Sequence, residues 1–214
     1  MKIAVLIRDF RRNSGGAERY CVELSERLSQ NHEVHVFCQS FDKSPYPIKF
    51  KKISKFFDKP RFLNQILFSY LTNKATNNKF DIVHSHELVF SADIYTIHVP
   101  CFKSIISNDK GFKKLLKNLN ILLSPRKICY LLLESQQMKN INNRHFISVS
   151  EYQLRNIIQC YPFLKNISIA YPGTNKNIVS QNGNIENDLI STLSIPKKAF
   201  KLLLVANNFQ KKGL

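Results

Sequence analysis

Apolar residues along the chain gather in short β-branched runs, each followed by a polar loop, and several of these loops lead into stretches where apolar positions recur every three or four residues. Ile3 to Ile7 is a nearly continuous apolar run of the length expected for a parallel strand covered on both faces, so it belongs in mid-sheet. Beyond the loop Arg8–Ser14, residues Ala17, Tyr20, Cys21, Leu24 and Leu28 repeat at helical spacing, with Ser14 as candidate N-cap. Glu33–Gln39 and Ile48–Ile53 read as the next strands, and Phe62–Leu71 as a helix. Asp81–His86 and Asp93–His98 read as two more short buried strands, the second stopped by Pro100. Alternation of this kind predicts an α/β fold, a parallel sheet with right-handed crossovers.

The last third repeats the theme. His145–Ser150 reads as a strand whose final serine caps a helix beginning at Glu151, and Ile167–Tyr171 as a strand closed by the turn Pro172-Gly173. Asn175–Asp188 is rich in Asn, Ser and Gln and reads as part of a linker. Phe200–Leu214 reads as a buried strand and basic glycine loop that cannot bury itself alone. The expected organisation is therefore a domain over 1–175, a linker over 176–196, and over 197–214 the opening of a second, truncated domain.

Gly15 and Gly16 stand where the first strand's loop meets the first helix. A helix starting there aims its free N–H groups and dipole at the loop, and residues without Cβ let an anion approach the backbone. The pair fits either a diphosphate site or a tight strand-to-helix turn. There is no G-x-G-x-x-G and no G-x-x-x-x-G-K-[ST], which removes the dinucleotide fingerprint and the P-loop. His84, His86 and His98 all fall at the carboxyl ends of predicted strands, where open parallel sheets bind ligands. Each alone can be a hydrogen-bonded strand-end histidine; as a trio beside a candidate phosphate loop they mark a cleft. His84 and His86 share one face, but no further ligand has recognisable spacing, so no metal is assigned.

Charge changes the picture most. With 32 Lys+Arg against 15 Asp+Glu, the 214 residues carry a formal net charge of +17, which points to polyanionic partners. Between Phe102 and Lys139, Lys110, Lys113, Lys114 and Lys117 interleave with Phe112, Leu115, Leu116 and Leu119. That pattern fits a helix facing an anionic membrane surface, and equally one that packs its apolar side on the sheet. The five cysteines are scattered without a C-x-x-C pair, so neither a disulfide framework nor a zinc site is expected and a reducing, cytoplasmic setting fits. No leader peptide is read at the N-terminus and no window reaches the roughly 18 apolar residues of a membrane span, so any membrane association is expected to be peripheral, on the cytoplasmic face of the inner membrane.

The motifs G-G-A-E-R at Gly15–Arg19, D-I-V-H-S-H at Asp81–His86, Y-T-I-H at Tyr95–His98, I-S-V-S at Ile147–Ser150, Y-P-G at Tyr171–Gly173 and N-N-F-Q-K-K-G at Asn207–Gly213 occur together and in order. Taken together, the chain resembles the retaining glycosyltransferases of the GT-B fold, family 4-like, nearest to the lipopolysaccharide core glucosyltransferase I branch. The resemblance implies the N-terminal half of that fold, a Rossmann-like parallel sheet with helices on both faces, serving the acceptor side. It implies donor-diphosphate contacts at Gly15, Gly16 and Lys212, catalytic roles for His98 and Asp93, and acceptor or cleft positions at His84, His86 and Glu18. Lys211 stands where the family often has arginine, which removes a bidentate phosphate contact.

The implied reaction moves a hexose from a nucleotide-diphosphate sugar to a lipid-linked or lipopolysaccharide-type glycan, without cofactor. Amides and a lysine offset the leaving group's charge, and no D-x-D motif calls for a metal. Donor contacts from a second domain would lie beyond Leu214, so this chain alone is expected to be inactive. The alternative is a basic α/β domain that binds nucleic acid or another anion without catalysis, against which stands the absence of any nucleic-acid motif. A nicotinamide oxidoreductase fails on the missing glycine fingerprint.

Overall fold

A computed structural model describes residues 1–104, 121, 123–139, 144–173 and a few positions between 192 and 202. Met1–Pro172 forms one compact unit and Gly173–Leu214 a second. Lys110, Lys113, Lys114, Lys117, Lys211 and Lys212 fall outside the described residues, as do nearly all of the expected linker and the strand after it.

The first unit is built from β1 (Lys2–Leu6), β2 (Asp9–Phe10), α1 (Gly16–Leu28), β3 (Glu33–Cys38), β4 (Ser40–Phe41), β5 (Ile48–Lys52), α2 (Arg61–Thr76), β6 (Ile82–Ser85), β7 (Ile94–Ile97), α3 (Pro125–Gln137), β8 (His145–Ser148), α4 (Glu151–Cys160) and β9 (Ile167–Ile169). Seven strands form one parallel sheet in the order β5-β3-β1-β6-β7-β8-β9. The chain winds outward from β1 in one direction, returns, and then winds outward from β6 in the other. The reversal between β1 and β6 opens the crevice in which such sheets bind ligands.

Alternation along the strands divides the core in two. Ile3, Val5 and Ile7 join Val34, Val36 and Cys38 beneath Cys21 and Val22 of α1. Ala4 and Leu6 point the other way, into a cluster with Phe68 of α2, Tyr95, Phe146 and Ile157 of α4. Helices therefore cover both faces, as a Rossmann-like sheet requires. The buried face of α1 is rotated from the apolar stripe read in the sequence: Ser25 and Glu26 are buried, while Leu24 and Leu28 are only partly so. Polar groups there are satisfied locally, Glu26 by Arg12 at 2.6 Å and by the Ser44 hydroxyl at 3.1 Å.

Two local expectations are corrected. Ser14 does not cap α1; the N-cap is Gly15, without a side-chain bond, because the Ser14 hydroxyl donates to Asp9 instead. Arg8–Ser14 is not wholly a loop either, since Asp9–Phe10 pairs in parallel with Ser40–Phe41 as a second, two-stranded ladder. Ser150, by contrast, caps α4 as its sequence context indicates, accepting from the Gln153 amide at 3.2 Å.

The segment after β7 is clamped from two sides. The buried carboxylate of Glu134 on α3 accepts from the amides of Phe102 and Lys103 and from the Tyr161 hydroxyl at 2.8 Å. The Gln153 side-chain Nε2 of α4 donates to the Val99 carbonyl, and the Asn156 side-chain oxygen accepts from the Cys101 backbone amide at 2.9 Å. Replacing Glu134 by alanine strands the buried Tyr161 hydroxyl and the part-buried amides of Phe102 and Lys103; a buried donor left unsatisfied costs about 1–3 kcal/mol. Glu134→Ala is accordingly expected to lose several kcal/mol of unfolding free energy, read as a lower urea midpoint, and Glu134→Asp to lose less.

Candidate active site

The carboxyl rim of the sheet is assembled by register. Leu6 of β1 lies opposite Ser85 of β6, and His84 opposite Ile94 of β7. The His86 amide continues the ladder by donating to the Leu6 carbonyl at 3.0 Å. His84 and His86, two residues apart, lie on one face with ring centroids 4.5 Å apart and the rings tilted by 33°. His98, just past β7, brings Nε2 to 3.0 Å from Nδ1 of His86, the rings nearly parallel. The His84 ring is anchored below them by the Thr96 hydroxyl at 2.7 Å.

Tyr20, one turn into α1, packs its ring 5.3 Å from His98 and 5.9 Å from His86. The start of α1 and the histidines thus share the rim at the β1/β6 crevice. The amides of Gly15, Gly16, Ala17 and Glu18 have no hydrogen-bond acceptor among the described residues. Glu18 lies in this first turn; a Cβ placed on Gly15 would fall 2.4 Å from its Oε2, whereas Gly16 has open space around it. The Glu18 carboxylate complements the helix dipole, and an incoming anion would have to turn that flexible side chain aside.

The loop that delivers these amides is fixed by Asp9. Its carboxylate accepts from Arg11 at 2.6 Å on both oxygens, from Ser14 at 2.8 Å and from Ser40 at 3.0 Å. The Arg11 bond, ahead of those from Ser14 and Ser40, holds Asp9 below the usual carboxylate range. Arg8, at the end of β1, pairs with Glu87 at 3.0 Å and so ties the β1 and β6 loops together. Tyr20, Arg8 and Glu87 were not singled out from sequence. Their only signal was adjacency, Arg8 after the first strand and Glu87 after His86.

Asp93 is separated from this group. It precedes β7 at the amino edge of the sheet, five residues from His98 along an extended strand, about 16 Å at the usual rise. Its carboxylate accepts the Val83 amide at 2.7 Å, as Asp81 accepts that of Lys2 at 2.7 Å one strand over. The structure thus places Asp93, for which a catalytic role was expected, apart from the histidine rim as a strand-end acceptor that satisfies a neighbouring amide. No group of three His, Cys, Asp or Glu side chains among the described residues is placed to hold a metal ion.

Residues 14–177 match the profile of Glycosyltransferase Family 4. The chain belongs to that family. The crystal structure of WaaG, a glycosyltransferase involved in lipopolysaccharide biosynthesis, superimposes on 99% of this chain with a TM-score of 0.75 at 18% sequence identity. The match covers 56% of the WaaG chain, so this chain spans little more than half that length. It shows that the architecture is that of the Rossmann-like half of a GT-B glycosyltransferase. A short chain dehydrogenase family protein from Francisella tularensis subsp. tularensis SCHU S4 also matches, with a TM-score of 0.27 at 18% identity over 89% of this chain and 65% of that one. That overlap is too loose to bear on the fold. No curated protein matches.

The rim of this family member is electrically neutral at its histidines. Burial, then the nearby His98, pushes His84 down to about 4, and burial does the same to His98. His86 is held well below its ordinary value by burial and by its two neighbours. Its Nε2 is buried without a hydrogen-bond partner among the described residues. With folded values below the ordinary 6.5, the unfolded chain binds more protons between about pH 4 and 6.5, and stability falls as pH drops through that window. For His84 alone the effect is on the order of 3 kcal/mol. The depressed carboxylates Asp9, Glu33 and Asp58 lose their contribution lower down, as pH falls below about 4. Urea midpoints at pH 7, 5.5 and 4.5 are expected to fall steadily, and less steeply in His98→Asn; a flat profile would contradict the buried trio.

Proposed function

We propose that this chain supplies the acceptor-side half of a retaining hexosyltransferase, which takes a hexose from a nucleotide-diphosphate sugar and places it on a lipid-linked or lipopolysaccharide-type glycan. What carries the reading is the meeting of α1's uncapped amino end with the His86–His98 pair in the crevice between β1 and β6. Breaking a sugar–diphosphate bond leaves an oxocarbenium-like centre and a leaving group of growing negative charge. Amides aimed at the diphosphate stabilise the second from fixed positions, without reorganisation at the moment of reaction. Lys212 is assigned the balancing positive charge from the second domain.

His98 is read as a neutral partner for a hydroxyl of the transferred sugar. A ring kept uncharged at pH 7 adds no positive charge beside a centre that is itself becoming positive, where an imidazolium would raise the barrier. His86 orients it through the 3.0 Å bond, and Tyr20 closes the far side. On this account the reaction needs no metal, and the acceptor is held by the unit described here while most of the donor is held by a second domain.

The net charge of +17 supports a protein seated peripherally on an anionic membrane surface, on the cytoplasmic side, where a lipid-linked acceptor is presented. No helix among the described residues is long and apolar enough to cross a membrane. The same charge also suits a nucleic-acid-binding domain. Salt-sensitive flotation with vesicles containing phosphatidylglycerol, without retention on duplex DNA, separates the two readings.

The test is transfer from radiolabelled UDP-glucose and other nucleotide sugars to a lipopolysaccharide-type acceptor, by the chain alone and joined to a family 4 donor-binding domain. Turnover is expected in the joined protein only. There His98→Ala is expected to lower kcat by about 100-fold, on the scale of one lost transition-state hydrogen bond, and Asp93→Asn to leave kcat within a few-fold. Rates should be indifferent to EDTA. A His98→Ala protein with unchanged kcat would remove the ring from the mechanism.

A further inference from the structure

Next to the histidine rim, on the other side of the β1–α1 loop, lies a cleft of about 520 Å³ at the carboxyl ends of β1 and β3. That size suits a small-molecule site. Every residue that lines it is polar or charged: four cations, two carboxylates, two amides and a serine.

The charges are unevenly spent. Asp9 is occupied by Arg11, Ser14 and Ser40, Asp58 pairs with Lys55, and Arg8 pairs with Glu87. Arg61 has no acidic partner among the described residues. It is also the first residue of α2, a helix with no side-chain cap and no acid in its first turn. A cation at the positive end of a helix is unfavourable until an anion joins it. On the same lining, Arg11 spends one face of its guanidinium on Asp9 and keeps donors on the other. Gln39 and Asn64, also on the lining, bond reciprocally at 2.8 and 2.9 Å, which leaves each amide one N–H and one lone pair for a ligand hydroxyl.

We infer that this cleft binds an anionic sugar of the acceptor, its phosphate or carboxylate between Arg61 and Arg11 and its hydroxyls on the Gln39–Asn64 pair. The inference rests on the glycosyltransferase reading for the word acceptor, and it adds to that reading the chemical class of the group recognised. Because the Asp9–Arg11 pair belongs to the loop that ends on Gly15, an acceptor seated here is delivered to the same rim as the donor diphosphate. The Asp9 carboxylate, kept ionised by its three donors, orients Arg11 rather than meeting the ligand.

The experiment is calorimetry on the full 214-residue chain with glucose 6-phosphate, glucuronate, glucose and inorganic phosphate, alongside UDP. Glucose 6-phosphate or glucuronate is expected to bind at least tenfold more tightly than glucose and than inorganic phosphate; the tighter of the two identifies the anion as phosphate ester or carboxylate. Arg61→Gln, an exposed substitution, should weaken that sugar at least tenfold while UDP binding stays unchanged, and Arg61→Lys should restore part of it. Equal binding of glucose, equal binding of bare phosphate, or an Arg61→Gln chain that binds the charged sugar as before would overturn the proposal. Loss of UDP binding alone would count against glycosyl transfer and leave the cleft assignment standing.

Discussion

Most of what this unit presents to a ligand depends on one contact, the bond between Nδ1 of His86 and Nε2 of His98. It exists because β6 and β7 run parallel, with Ser85 opposite Tyr95, and each strand is followed directly by a histidine. A pair of nitrogens at 3.0 Å shares one proton, one ring donating and the other accepting. Burial beneath α1 and the loops disfavours the charged form of both rings and so keeps them neutral. Position and protonation state follow from the same packing.

The facing side of the crevice is held by a different device. Asp9 sits where β1 passes into its loop and gathers Arg11, Ser14 and Ser40, while Arg12 reaches Glu26 on α1. These bonds convert a glycine-containing turn into a loop of fixed course, so the first amides of α1 keep their direction without any ligand. Fixed donors are worth more to a developing charge than mobile ones, since no reorganisation is left for the reaction to perform. The cleft lined by Arg61 uses the opposite side of the same loop.

The elements themselves were legible because their signals are local. Five-residue apolar runs such as Ile3–Ile7, the helical spacing after Gly16 and the serine before Glu151 need only neighbours in sequence to be read. The histidines were legible as a group because strand ends in a parallel sheet share one edge. The surroundings of Asp93 were not legible for the complementary reason: which amide a residue beside a strand's start meets depends on register with β6. Ser14 lost its capping role to Asp9, five residues back across the turn, and the β2–β4 ladder escaped notice because it depends on a partner about 30 residues away. Tyr20 counts as an ordinary apolar helix position until the helix is set beside His98.

The account stands or falls on whether a diphosphate sits on the first turn of α1 beside the histidines. Nuclear magnetic resonance of the labelled chain titrated with UDP measures this directly. The account predicts that the amides of Gly15, Gly16 and Ala17 and the ring signals of His86 and His98 shift together along one saturating curve, with Asp93 and the Val83 amide unmoved. Shifts confined to other surfaces, with the Gly15–Ala17 amides silent at saturation, would contradict it.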